Sequence, residues 1–187
     1  MPLETELKSH LETLQATVAE CGPTIGRLLE AFLACFRAGH KVLLCGNGGS
    51  AADAQHVAGE FVNRFRFDRA PLAAVALTTD TSILTCIGND SSFDAIFSRQ
   101  VEALGNPGDI LVGISTSGKS KNVLKAISAA KARGLTTVAM TGLHGKETMG
   151  AICDFCLAIP SADTARIQEA HEFVWHVLCG DVERILF

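Results

Sequence analysis

The chain has no run of lysine or arginine longer than two, and its formal net charge is −4. A nucleic-acid surface needs a basic patch or stripe, so no nucleic-acid partner is expected. Nor does any stretch reach the roughly 18 consecutive apolar residues that suggest a membrane span, so no membrane partner is expected either. Residues 1–22, MPLETELKSHLETLQATVAECG, are charged and helix-patterned. A secretory signal has a different build, and a cytoplasmic protein is the default expectation. A second C-x-x-C is also lacking. Cys153 and Cys156 form one pair, and the other five cysteines (21, 35, 45, 86 and 179) are scattered. One pair does not complete a zinc cage, and DFCLAIP reads as a buried strand in which a thiol is a small apolar filler.

What is present is ample apolar material. With 187 residues, 48% of them hydrophobic, residues 1–187 fit one domain with a sizeable core. The first 38 residues read as helix interrupted at Cys21-Gly22-Pro23, an N-terminal helical segment expected to pack in an oligomer. From Thr24 to Arg37 the apolar spacing is that of an amphipathic helix. Short apolar runs then follow: KVLLC (41–45), LAAVAL (72–77), DILVGIS (109–115), TTVAMT (136–141) and DFCLAI (154–159). Helical stretches separate them, and a closing helix spans about 164–186. Strands alternating with helices pair in parallel through right-handed crossovers. Several runs are apolar throughout, as when both sheet faces are covered. The expected architecture is a three-layer α/β/α sandwich on a five-stranded parallel sheet. In such sheets ligands bind beyond the carboxyl ends of the strands, which singles out GNGGS, TTDTS and TSGKS.

GISTSGKS (113–120) matches the G-x-x-x-x-G-K-[ST] nucleotide loop. A nucleotide loop starts at its first glycine, just past the strand end. Here Gly113 lies inside ILVGIS, and only Thr116 to Lys119 remain for the turn. An aspartate closing a later apolar strand, which would hold Mg²⁺, is also missing. The remaining reading is a phosphate monoester held by Ser115, Thr116, Ser117 and Ser120 at a helix N-terminus, where free N–H groups and the helix dipole favour an anion. Ordinary capping needs only one of these hydroxyls. In GNGGSAADAQH, the glycines let backbone approach a ligand, and Ser50 is expected to cap the next helix.

On that helix His56 and Glu60 stand four residues apart, hence on one face. The spacing suits two ligands of one metal, or an acid and its base, although a solvated i, i+4 pair is the plain alternative. The last helix offers Gln168, Glu169, His171, Glu172 and His176. Spacing alone favours Glu172 with His176, and ligand geometry does not choose between that pair and His171.

GNGGSAADAQH, H-x-x-x-E, GND (88–90), GISTSGKS and TARIQEAHEFVWH, in this order, resemble the sugar isomerase (SIS) domain. More narrowly the chain is similar to the sedoheptulose 7-phosphate isomerases, or phosphoheptose isomerases, over nearly its whole length. That resemblance implies a ketose–aldose isomerase making D-glycero-D-manno-heptose 7-phosphate for bacterial surface polysaccharide. It implies one Zn²⁺ per subunit on His56, Glu60, Gln168 and His176, a set that passes over Glu172. Two imidazoles, one carboxylate and one amide leave that site near +1, suited to polarising a carbonyl. Substrate would contact Asn47, Gly48, Gly49, Glu60, Asn89, Asp90, Ser115, Thr116, Ser117, Ser120 and Gln168, with Glu60 and His176 catalytic. A homotetramer with sites where subunits meet is also implied. The alternative is a non-catalytic SIS-domain regulator that binds a phosphosugar or the bacterial replication initiator. The initiator-binding protein lacks the acid and the imidazole at the positions of Glu60 and His176, and this chain has both.

Overall fold

The computed structural model describes residues 2–187. Its elements are α1 (Leu3–Arg37), β1 (Val42–Gly46), α2 (Gly49–Val62), β2 (Ala74–Ala76), α3 (Thr81–Asp90), α4 (Ser98–Leu104), β3 (Ile110–Ser115), α5 (Lys121–Ala132), β4 (Thr136–Gly142), β5 (Phe155–Ile159) and α6 (Thr164–Leu186), with short 3₁₀ turns at 93–95, 143–145 and 150–152. All pairings are parallel, in the order β2-β1-β3-β4-β5. Alternation along each strand divides the interior in two. Val42, Leu44, Ile110 and Val112 point to a core with Phe32, Phe61 and Trp175 of α1, α2 and α6. Leu43, Cys45 and Leu111 point to a second core, with Val101 of α4 and Ile127 of α5. The sandwich has three layers, as expected.

Two expectations fail. The predicted break at Pro23 is absent, and α1 runs unbroken through it. Proline removes one N–H and leaves the carbonyl four residues earlier without its helical partner. Both Pro23 and Ala19 are exposed, so water can take that carbonyl. Buried Cys21, Leu28 and Phe32 hold the flanking turns on the sheet. The second is α3, which begins within TTDTS, the stretch singled out as a ligand-side loop. Asp80 caps it by accepting from the Ile83 N–H (2.9 Å), yet no residue of α3 is fully buried, so its apolar periodicity is faint.

Candidate active site

β1 and β3 are neighbours although β2 lies between them in sequence. The chain therefore leaves their carboxyl ends in opposite directions, and a crevice opens there. GNGGS and TSGKS both emerge at this point. Gly113 lies within β3, which removes the nucleotide-loop geometry, as the sequence reading argued. Past the strand, Ser115 Oγ and Ser120 Oγ are 3.0 Å apart, and the Lys119 N–H donates to Ser117 Oγ (3.2 Å). Gly118 turns the chain with φ +67°, a conformation disfavoured for side-chain-bearing residues. Ser120 is the N-cap of α5. Two of the four expected hydroxyls thus meet, and a third accepts from the backbone of the same turn. Thr116 and Ser117 also line a 160 Å³ recess shared with Lys119 and His144.

The first loop departs from expectation in one respect. Gly48, with φ +58°, is the N-cap of α2, and Ser50 is buried inside the first turn. Asn47 forms a reciprocal amide pair with Asn122 of α5 (2.9 and 2.8 Å). Asn122 is almost fully buried and locks the two loops to each other. The sequence reading missed it, because a lone asparagine early in a helix carries no pattern. Gly49 lies against the amide of Gln168, close enough that a side chain there would collide with it. Asn89 and Asp90 end α3, exposed and bonded to each other (2.7 Å). Among the described residues neither hydrogen-bonds to the other site groups.

One turn further along α2 and α6 the acid–base groups meet. His56 Nε2 lies 3.3 Å from Glu60 Oε1, 3.2 Å from Glu172 Oε1 and 3.3 Å from His176 Nε2, and His176 Nε2 lies 3.3 Å from the same Glu172 oxygen. One imidazole N–H cannot serve three partners. Among the described residues Glu172 Oε2 is buried without any hydrogen-bond partner, as is Asp53 Oδ2 one turn before His56. Burial, reinforced by the neighbouring Glu172 charge, pushes the Asp53 carboxyl up to about 6. Imidazole nitrogens and carboxylate oxygens are the donors that divalent zinc-type cations take, and His56, Glu172 and His176 are close enough to share one ion. The residues therefore fit a metal.

This settles a choice that spacing left open. His171 is fully buried, its Nε2 donates to the Thr141 carbonyl (3.2 Å), and burial drags its pKa to about 4. It is a neutral core imidazole. Glu172, which the family pattern passed over, stands inside the cluster. Gln168 lies one turn before it on the same face of α6.

The family model described as a SIS domain matches residues 7–142. A phosphoheptose isomerase of Burkholderia pseudomallei (strain 1710b) is 59% identical over 164 residues, covering 88% of this chain and 83% of the relative. The structure of a phosphoheptose isomerase from Neisseria gonorrhoeae superposes with TM-score 0.91 at 43% identity, covering 97% of both chains. Its counterpart from Francisella tularensis gives 0.93 at 36%, covering 97% of this chain and 96% of that one. With the isomerase relatives matching over nearly the full length, the chain belongs to the SIS-domain family of phosphoheptose isomerases.

Proposed function

We propose that the protein interconverts D-sedoheptulose 7-phosphate and D-glycero-D-manno-heptose 7-phosphate. The observation that carries this reading is that Glu60 and His176, from two helices, both reach His56 Nε2 at 3.3 Å. A carboxylate and an imidazole on one small site are what ketose–aldose isomerisation needs: one group for the carbon proton, another for the oxygen protons.

In this reading Ser115, Thr116, Ser117 and Ser120 hold the phosphate, with Asn47 to Gly49 shaping the adjacent wall. Binding at the phosphate, remote from the reacting carbons, orients C1 and C2. Glu60 takes a proton from C1 of the ketose and returns one to C2, through a cis-enediol. His176 moves the proton between the two oxygens, and Gln168, Asn89 and Asp90 hold the sugar hydroxyls. Zinc is the proposed metal, held by His56 and His176, with Glu60 and Gln168 completing the set the resemblance implies and Glu172 the carboxylate nearest both imidazoles. When bound it would supply Lewis-acid polarisation of the carbonyl oxygen.

The exposed face of α1 supports a homotetramer. Leu3, Leu7, Leu11 and Val18 form an apolar stripe facing solvent in the single chain, and such stripes mark protein–protein contacts. No helix among the described residues is long and apolar enough to cross a membrane, and a cytoplasmic location fits the proposed substrate. Incubation with sedoheptulose 7-phosphate in deuterated water, with and without chelator, tests the proposal by NMR. The aldose is expected, with solvent deuterium at its C2. Absence of aldose from metal-replete protein overturns the reading.

A further inference from the structure

Seven residues beyond His176 on α6, Glu183 is a carboxylate the proposed chemistry does not use. It is 1% exposed, and its nearest cation, Arg69, is 2% exposed. Buried charges are tolerated when paired and hydrogen-bonded, and here both carboxylate oxygens are hydrogen-bonded, while Arg69 Nε, 3.9 Å from Oε2, has no hydrogen-bond partner among the described residues. Glu183 Oε2 accepts from the backbone N–H groups of Phe65 (2.9 Å) and Arg66 (3.2 Å). Oε1 accepts from Arg66 (3.1 Å) and Phe67 (2.8 Å). One carboxylate therefore fixes three successive peptide units of the loop leaving α2.

The loop and the arginine each end on a reacting group. Phe65, held by Glu183, stacks on the His176 ring, with centroids 5.4 Å apart and planes 20° apart. His56 contacts the same imidazole in a tilted arrangement, at 5.4 Å and 57°. Arg69 Nη2 donates to the carbonyl of Glu60 (2.7 Å), and Nη1 donates to that of Phe61 (2.7 Å). These carbonyls belong to the last turn of α2, where helix carbonyls lack intrahelical partners and a cation is favoured. The turn that carries the Glu60 side chain is thus tied from below.

Resting on the isomerase reading above, we propose that Glu183 and Arg69 form a buried clamp that positions both catalytic groups, Arg69 through the backbone of Glu60 and Glu183 through the ring of Phe65 on His176. They are positioning residues and touch no substrate. The arrangement joins two segments distant in sequence, with Glu183 and Arg69 3.9 Å apart between the acid and the base. Small misplacements of reacting groups cost far more in turnover than in binding.

The test uses the full-length protein and the variants Phe65→Leu, Phe65→Tyr and Glu183→Gln. Steady-state kinetics are combined with NMR of the His176 ring C–H, assigned by its loss in His176→Gln. Phe65→Leu should lower kcat about tenfold or more with KM nearly unchanged, following the cost of misplacement. Its melting temperature should stay near wild type, while the His176 resonance loses the ring-current shift of the stacked phenyl. Phe65→Tyr should restore both. Glu183→Gln should reproduce the kcat loss and the resonance change. Should it fail to fold, the two Phe65 variants decide. Unchanged kcat and an unmoved resonance in folded Phe65→Leu would overturn the clamp, as would a change confined to KM. If the wild type makes no aldose, the isomerase reading fails by itself, and the His176 resonance still reports whether the clamp holds the ring.

Discussion

Helix α6 carries two polar assemblies treated in opposite ways. At Glu183 a buried carboxylate accepts four contacts from fixed backbone N–H groups at 2.8 to 3.2 Å. Burial alone would push its pKa up, but those N–H groups, with Arg69 beside them, hold it below the usual range. At Glu172, about three turns earlier, one oxygen is buried unpartnered among the described residues and the other is crowded by two imidazoles. In the first arrangement both carboxylate oxygens are hydrogen-bonded, and only Arg69 Nε beside them lacks a hydrogen-bond partner among the described residues. The second is short of donors, which is the condition of groups that await a cation or a proton in transit. Fixed support and open chemistry are thus separated along one helix, and the separation can be attacked from either side.

The largest effect should come from Glu60→Gln. The amide keeps the shape and loses the base, so kcat should fall by about 10² or more, in line with general-base losses. Phosphosugar affinity measured by calorimetry should stay within a few fold. Turnover near wild type would remove Glu60 from the mechanism and blur the line between the two assemblies. Next in size, His56→Ala should strip the bound metal, read as zinc per chain by elemental analysis after dialysis. Parallel Glu172→Ala and Gln168→Ala variants then show which of these two side chains is a ligand. Retention of full metal by His56→Ala would place the ion elsewhere. A smaller effect is expected from Ser117→Ala. One lost hydrogen bond to a charged phosphate is worth about 1.5 to 3 kcal/mol, so KM should rise by roughly ten- to a hundredfold with kcat nearly kept. An unchanged KM would count against the hydroxyl cradle.

How much of this was legible in the sequence follows the same division. Strands reveal themselves by unbroken apolar runs, and all five lie within two residues of where composition put them. α6 announces itself with Asp163 as cap and an apolar stripe beneath. The interruption expected at Cys21-Gly22-Pro23 is absent because propensity is local, while the packing of Leu28 and Phe32 that overrides it is not. His56, Glu60 and His176 were legible as i, i+4 spacings and as a resemblance. Asn122 and Glu183 were not, since each acts by a contact across tens of residues, and neither was Arg69, which reaches the Glu60 and Phe61 carbonyls from a loop, nor Asp53, whose burial no spacing announces. Asn122 reaches Asn47, and Glu183 reaches residues 65 to 67. Helical spacing exposes what one element does alone and is silent about what two elements do together.

The smallest predicted effect concerns the amino end of the central strand, where a second hydrogen-bonded carboxylate lies away from the site loops. Asp109 opens β3 and accepts from Lys41 Nζ (2.6 Å), the Lys41 N–H (3.0 Å) and the Asn106 N–H (2.8 Å), with His40 Nδ1 at 3.7 Å. Burial pushes its pKa up, but these donors outweigh that push and the folded value lies below the ordinary one. A depressed carboxyl contributes stability that is fully present above the unfolded value of about 3.9 and is lost as pH falls through the folded value. Asp109→Asn keeps the shape and removes the charge. Its urea midpoint should therefore lie below wild type at pH 7, and the two should converge as the pH is lowered towards 3, while kcat at neutral pH stays within about twofold, as for a change away from the reacting groups. A gap as wide at pH 3 as at pH 7 would mean that shape, not charge, holds this corner. The contrast between charges that stabilise and charges that react would then rest on Glu183 alone.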